Sequence, residues 1–285
     1  MHIHSNMKKY NDLTVNEIAR VKKIFSDKCW PEHDSFDEDI LDNFCKLLRS
    51  MSAEQRDLIL LLTEDFLWVR QCMYMKCFED AFHQFISSLI KKNTKTIVVC
   101  PLLAKKDYNS ACKSSQILQY LIKPHTYAIK RKYQEYEIIF IDNPENKYID
   151  KVKNNDKYVL CLIDDFIGTG DTAESAIKFF FDKDINPNKI NIVTLVILED
   201  GINRLSKNGY SVYYSKKCYK GLSSKKNDRY IEIMRNIEEI IKVPDNFKFG
   251  YKNSEALVRM IRTPNNTFPI YWLKNEYNPN APFKR

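Results

Sequence analysis

The sequence predicts an α/β fold: a parallel-sheet core preceded by a helical extension and followed by a C-terminal cap or strap. Three observations predict it. Four short apolar runs, Thr96–Cys100, Glu137–Asp142, Tyr158–Ile163 and Asn191–Leu198, are rich in Val, Ile and Leu and are separated by helical or charged stretches, the pattern of buried parallel strands joined by crossovers. Capping boxes open successive helical segments in the first ninety residues. The third run leads into two acids, a glycine-containing turn and a helix start, and such a strand end is where open α/β sheets place ligands. The runs divide the chain into a helical extension or hood over residues 1–92, a sheet core over 93–215 and a C-terminal helical region with a strap over 216–285.

The extension begins with three boxes, Thr14-Val15-Asn16-Glu17, Ser35-Phe36-Asp37-Glu38 and Ser52-Ala53-Glu54-Gln55, each supplying a side-chain acceptor for an orphan helix amide. Glu64–Ile90 then carries Phe66, Leu67, Met73, Cys77, Phe78, Ala81, Phe82, Phe85 and Leu89 at near-helical spacing without proline or glycine, which predicts one long helix. In the core, Ser114–Ile122 and Thr172–Phe181 are the expected crossover helices. Tyr127–Gln134 and Asn143–Asp156, polar and lysine-rich, are expected as exposed connections. Helices are expected near Asn227–Ile241 and Ser254–Arg262, the latter ended by Pro264. The tail, with Pro264-Asn265-Asn266 followed by Pro269, Tyr271 and Trp272, reads as a rigid turn and a docked strap anchored by aromatics.

A chain of 285 residues, 44% hydrophobic, is long enough for one large domain or a compact domain with a helical appendage. Its eight cysteines sit mostly in apolar runs without paired short spacings, which points to buried free thiols in a reducing compartment. A disulfide switch, a cysteine nucleophile and a Cys/His metal centre lack their sequence requirements. His83, within an apolar helix, reads as a hydrogen-bonded core or interface residue. No run approaches the roughly 20 apolar residues of a membrane span, so a cytoplasmic protein without a membrane partner is expected. The formal charge of +8, from 45 basic and 37 acidic residues, would assist approach to phosphorylated ligands or nucleic acid, but it is also the excess of an ordinary solvated surface.

The chemistry concentrates in Leu160–Thr172. Gly168 and Gly170 let the backbone turn and approach a ligand, Thr169, Thr172 and the intervening amides can donate to phosphate oxygens, and the following helix adds the positive end of its dipole. Asp164 and Asp165 can accept from sugar hydroxyls or hold hydrated Mg²⁺. The plainer alternative is an Asp-rich strand-to-helix turn in which Asp164 caps backbone amides.

Four apolar residues, two acids, two apolar residues and a small turn ending in Thr-Gly-x-Thr make the segment similar to the signature of type I phosphoribosyltransferases. The resemblance implies a phosphoribosyltransferase-like, Rossmann-like core over roughly Thr96–Tyr214. It implies that Asp164 and Asp165 are catalytic and bind the ribose hydroxyls directly or through Mg²⁺. It also implies that Gly168, Thr169, Gly170, Asp171 and Thr172 cradle the 5′-phosphate of phosphoribosyl pyrophosphate. Purine-specific members often carry an aspartate where this chain has Gly168, which counts against an ordinary purine salvage enzyme. In that family a loop after the first core strand contacts pyrophosphate, and here Lys105 and Lys106 follow Thr96–Cys100. Lys113-Ser114-Ser115 is a further candidate for anion contacts, or an N-cap.

The N-terminal extension and the tail together resemble a subgroup of phosphoribosyltransferase-like proteins encoded beside bacterial anti-phage modules, including retrons. That resemblance implies an antiviral defence setting and a possible reverse transcriptase partner with its DNA–RNA product. Three functions follow: transfer at ribose C1 of a phosphoribosyl compound or nucleotide, nucleotide sensing without turnover, and docking on a nucleoprotein. For docking the candidate patch is Lys216, Lys217, Lys220, Lys225 and Lys226 interleaved with Tyr213, Tyr214 and Tyr219.

Overall fold

In a computed structural model of the chain, residues 12–33, 39–90, 92–107, 112–283 and 285 are described. They form two compact units: Val69–Tyr219, and a second made of the residues up to Trp68 together with Lys220–Arg285.

The second unit begins with helices α1 (Val15–Asp27), α2 (Ile40–Arg49) and α3 (Ala53–Glu64). Two of the capping boxes are formed. The Thr14 hydroxyl accepts from Glu17 N while Glu17 takes the Thr14 amide, and Ser52 and Gln55 do the same. The box at Ser35–Glu38 lies outside the described residues, and α2 opens instead on Asp39, whose carboxylate accepts from Asp42 N at 2.7 Å.

The long helix expected over Glu64–Ile90 is interrupted. After α3 the chain extends into strand β1 (Leu67–Trp68), and a turn over Gln71–Met73 precedes α4 (Tyr74–Leu89). The reason is a partner remote in sequence: β1 pairs in parallel with β7 (Val258–Arg259), and Leu67 N donates to Leu257 O at 2.9 Å. Extension turns Phe66 and Trp68 into an aromatic cluster with Trp30, Phe44, Tyr271 and Phe283, in which Phe66 lies 4.8 Å from Tyr271 and 5.0 Å from Phe283 between ring centroids. Burial in the cluster outweighs the helical propensity of the segment.

The helix expected over Ser254–Arg262 is absent, because Lys252, Asn253 and Glu255 adopt left-handed φ values of 54°, 53° and 51° and the chain passes directly into β7. The helix near Asn227–Ile241 is present as α10 (Asp228–Ile240). The tail is tied down by side chains. Trp272 Nε1 donates to Thr267 O at 2.7 Å, the Asn278 amide donates to Leu273 O at 3.0 Å, and the Tyr271 hydroxyl donates to Ile59 O at 3.3 Å.

The first unit is the sheet. Strands β2 (Thr96–Pro101), β3 (Glu137–Phe140), β4 (Tyr158–Ile167), β5 (Ile190–Leu198) and β6 (Ser211–Cys218) are all parallel in the order β3-β2-β4-β5-β6. Every residue of β2 and β5 is buried, which is why those runs are dominated by Val, Ile and Leu rather than alternating. Helices α5 (Ser114–Ile122) and α8 (Asp171–Phe181) fall where crossovers were expected.

The two stretches expected as exposed connections contain helices: α6 (Thr126–Lys132) buries Ile129, and α7 (Lys147–Asn154) buries Ile149 and Val152. Two or three apolar residues suffice for so short a helix, too few for a periodic signal. The lysine-bearing stretch after Tyr210 is the edge strand β6, and charge is how edges resist further pairing. Unit boundaries fall at 68/69 and 219/220 rather than 92/93 and 215/216, since α4 packs against β5 and β6. No helix among the described residues is long and apolar enough to cross a membrane.

Phe283→Ala removes a ring that touches Trp30, Phe44, Phe66, Trp68 and Tyr271. Urea denaturation should show a loss of about 3–5 kcal/mol. A loss under about 1 kcal/mol would mean that the tail is not part of the core.

Candidate functional site

The sheet order places its switch point between β2 and β4: the chain leaves β2 toward β3 on one side and returns through α7 to β4, from which it continues toward β5 on the other. Ligands of open α/β sheets bind outside the carboxyl ends of strands at such a point. The β2–β4 register ends at Pro101↔Ile163, so Asp164 is the first residue of β4 beyond its β2 neighbour and pairs only with Thr194 of β5.

Both acids are buried, Asp164 at 8% and Asp165 at 6% exposure. Asp164 Oδ1 accepts from Ser114 Oγ at 3.1 Å and from Asp165 N at 2.9 Å. Asp165 Oδ2 accepts from the Tyr74 hydroxyl at 3.0 Å. Loss of water pushes both carboxyls above their ordinary range, and for Asp164 the adjacent Asp165 charge adds to it; the hydroxyls of Ser114 and Tyr74 offset part of the rise. Among the described residues no group of three or more His, Cys, Asp or Glu could cage a metal. A carboxylate pair short of positive charge nevertheless suits Mg²⁺, which commonly takes one or two carboxylates and completes its octahedron with water and substrate oxygens.

Past Ile167 the loop bends through Gly168-Thr169-Gly170 into α8. Gly170 is the N-cap, with φ +84°, which favours glycine. Gly168 and Gly170 are buried, Thr169 and Asp171 half-buried and Thr172 exposed, so the loop presents a hydroxyl and a helix N-terminus to solvent. Helix α9 (Glu199–Lys207) seats against this loop: a Cβ on Gly201 would lie 2.6 Å from Gly168 O. One turn later Arg204 pairs with Asp171, reaches Glu174 at 2.5 Å and donates to Thr169 O at 3.5 Å.

The structure thus brings Asp164, Asp165 and residues 168–172 to one strand end. Lys105 lies exposed in the turn Lys105–Asp107 after β2; the side chain of Lys106 is outside the described residues. Lys113 pairs with Asp107 at 3.0 Å, and Ser114 serves the acid pair.

The basic stretch is divided. Lys216 and Lys217 belong to β6, where Lys217 pairs with Glu199 at 2.7 Å, whereas Lys220, Lys225 and Lys226 belong to the other unit, where Lys225 pairs with Asp65 at 2.6 Å. His83 is exposed, its ring 6.3 Å from that of Tyr133, and so is not a core residue. All eight cysteines are free, but only Cys77, Cys100 and Cys161 are buried; Cys29, Cys72 and Cys112 are exposed. Burial pushes the Cys218 thiol up to about 12 and raises those of Cys100 and Cys161, which disarms them as nucleophiles.

Three contributors went unnoticed in the sequence: Tyr74, Gly201 and Arg204. A glycine in the first turn of a helix directly after a buried strand was the available signal for Gly201; nothing local marks Tyr74.

Fold and site define an open-sheet α/β protein with an acidic pair and a helix N-terminus at the switch point. The chain belongs to the PRTase-CE family, whose profile matches residues 34–285. Parts of it are similar to three solved structures. An orotate phosphoribosyltransferase from Aeropyrum pernix is 9% identical over 58% of this chain and 74% of that one, with a TM-score of 0.30. A hypoxanthine-guanine phosphoribosyltransferase from Schistosoma mansoni in complex with IMP is 13% identical over 51% and 64%, with 0.32. An APRTase from Giardia lamblia complexed with 9-deazaadenine is 11% identical over 50% and 79%, with 0.30. No curated protein matches the sequence.

A carboxyl whose pKa is higher folded than unfolded binds more protons in the native state, so its penalty is absent below about pH 4 and grows as pH rises through the folded value. With a chelator present, D164N/D165N should therefore melt higher than wild type by about 2–5 °C at pH 8. The gap should close toward pH 4. A pH-independent gap would contradict the raised pair.

Proposed function

We propose that the protein binds a 5-phosphoribosyl compound, phosphoribosyl pyrophosphate or a nucleotide, and transfers at C1 of its ribose. The observation that carries this reading is the buried Asp164–Asp165 pair at the end of β4, continuous with a Gly170-capped helix N-terminus, in a chain of the PRTase-CE family. In this reading the acid pair orients the ribose hydroxyls, residues 168–172 hold the 5′-phosphate, and Lys105 and Lys106 face the pyrophosphate. Asp164 and Asp165 would also hold Mg²⁺, which supplies charge neutralisation to a leaving pyrophosphate. Ser114 and Tyr74 keep the two carboxylates in place until ligand arrives.

The resemblance of both chain ends to the anti-phage subgroup extends the proposal to an effector role in retron-type defence, with a reverse transcriptase and its DNA–RNA product as partner. A second reading, sensing a nucleotide without turnover, draws support from Gly168, where purine-specific members often have an aspartate.

Pyrophosphate release from phosphoribosyl pyrophosphate with Mg²⁺, followed beside calorimetric binding, tests both. Wild type should bind and release; D164N/D165N should lose release by at least about 100-fold while keeping its fold. Binding without release selects the sensor. Full release by the double variant would refute the assignment of the acids.

A further inference from the structure

We propose that Asp171 and Arg204 form an autoinhibitory latch on the phosphate loop, in which the Asp171 carboxylate occupies donors meant for the ligand phosphate and Arg204 passes to that phosphate when it binds. The inference rests on the phosphate-cradle reading of residues 168–172 given above. It concerns what regulates and selects the anion there.

Thr169, one of the two hydroxyls of the loop, is engaged within the chain: its Oγ1 donates to Asp171 Oδ2 at 3.0 Å. The other Asp171 oxygen is taken by the Arg204 guanidinium. The same guanidinium reaches Glu174 Oε2 at 2.5 Å, and Asn208 Nδ2 donates to Glu174 Oε1 at 2.6 Å, so Glu174 is fixed from two sides. Asp171 thus sits on the first residue of α8 as an internal anion, in contact with a hydroxyl, a guanidinium and the positive end of the helix, the set of donors that recognises a phosphate.

The Asp171 and Glu174 carboxylates flank the Arg204 guanidinium. An incoming phosphate can take the Thr169 hydroxyl only if Asp171 gives it up. The cluster is open to solvent: the Arg204 side chain is 39% exposed and those of Asp171 and Glu174 25% each. Arg204 is also well placed to change partners. Gly201, one turn earlier on α9, lets the helix lie against Gly168 O, and the planar fork can keep Glu174 on one nitrogen while another leaves Asp171. A dianionic phosphate, able to take both the hydroxyl and the guanidinium, offsets the loss of the Asp171 pair. Weaker anions do not, so the latch also serves selectivity.

The test is calorimetric titration of ribose 5-phosphate into wild type, D171A, R204A and D171A/R204A, with circular dichroism to confirm folding and D171N as the conservative variant. D171A should bind about tenfold tighter than wild type, with D171N intermediate, because a competing anion has gone. Within the D171A background, R204A should weaken binding about tenfold, since the guanidinium nitrogen released by Asp171 is then open to the ligand. A D171A affinity equal to or below wild type, or no effect of R204A in the D171A background, would overturn the latch while leaving the cradle standing. Failure of all four folded proteins to bind ribose 5-phosphate would refute the cradle, and the latch with it.

Discussion

Two adjacent carboxylates, Asp164 and Asp165, are buried where β4 outruns β2, and the surrounding elements are arranged around that unfavourable burial. Burying ionised carboxyls is opposed by lost hydration and, within a pair, by mutual repulsion. The fold answers with neutral donors: Ser114 at the start of α5 and Tyr74 at the start of α4 each give a hydroxyl to one acid. Hydroxyls hold a carboxylate in place without neutralising it. In the proposed function that leaves the pair ready for a cation or for sugar hydroxyls, with stability traded for a ligand site.

The neighbouring loop obeys a different economy. Its geometry depends on glycine at two places, Gly170 for a left-handed φ and Gly201 for the close approach of α9 to Gly168 O. That approach brings Arg204 onto Asp171 and Glu174, so the start of α8 is braced by a helix that begins 28 residues after it in the chain (about three turns and a strand later). An acid pair held by hydroxyls and a glycine-containing loop held by an ion-pair cluster make two separately supported halves of one strand end. The other unit, with its aromatic cluster and tied-down tail, has its own core and its own reasons for stability.

Much of this was legible in the sequence where burial is complete. β2, β5 and the first part of β4 announce themselves as mainly apolar runs because both their faces are covered, and Asp164-Asp165 followed by Gly168–Thr172 is continuous in sequence because strand, turn and helix start are continuous in space. What was not legible depends on remote partners. β1 exists because β7 pairs with it, and without that knowledge Phe66 and Leu67 count as helical periodicity. Tyr74 reaches Asp165 across 91 positions and Arg204 reaches Asp171 across 33, distances at which no spacing rule operates. The short helices α6 and α7 carry too few apolar residues to be distinguished from lysine-rich connections.

The most direct measurement is a crystal structure of the protein soaked with phosphoribosyl pyrophosphate and Mg²⁺. The account expects the 5′-phosphate on the amides and hydroxyls of residues 168–172, with the ribose hydroxyls or a metal on Asp164 and Asp165. Ligand density away from the end of β4, with both carboxylates still on Ser114 and Tyr74, would contradict it.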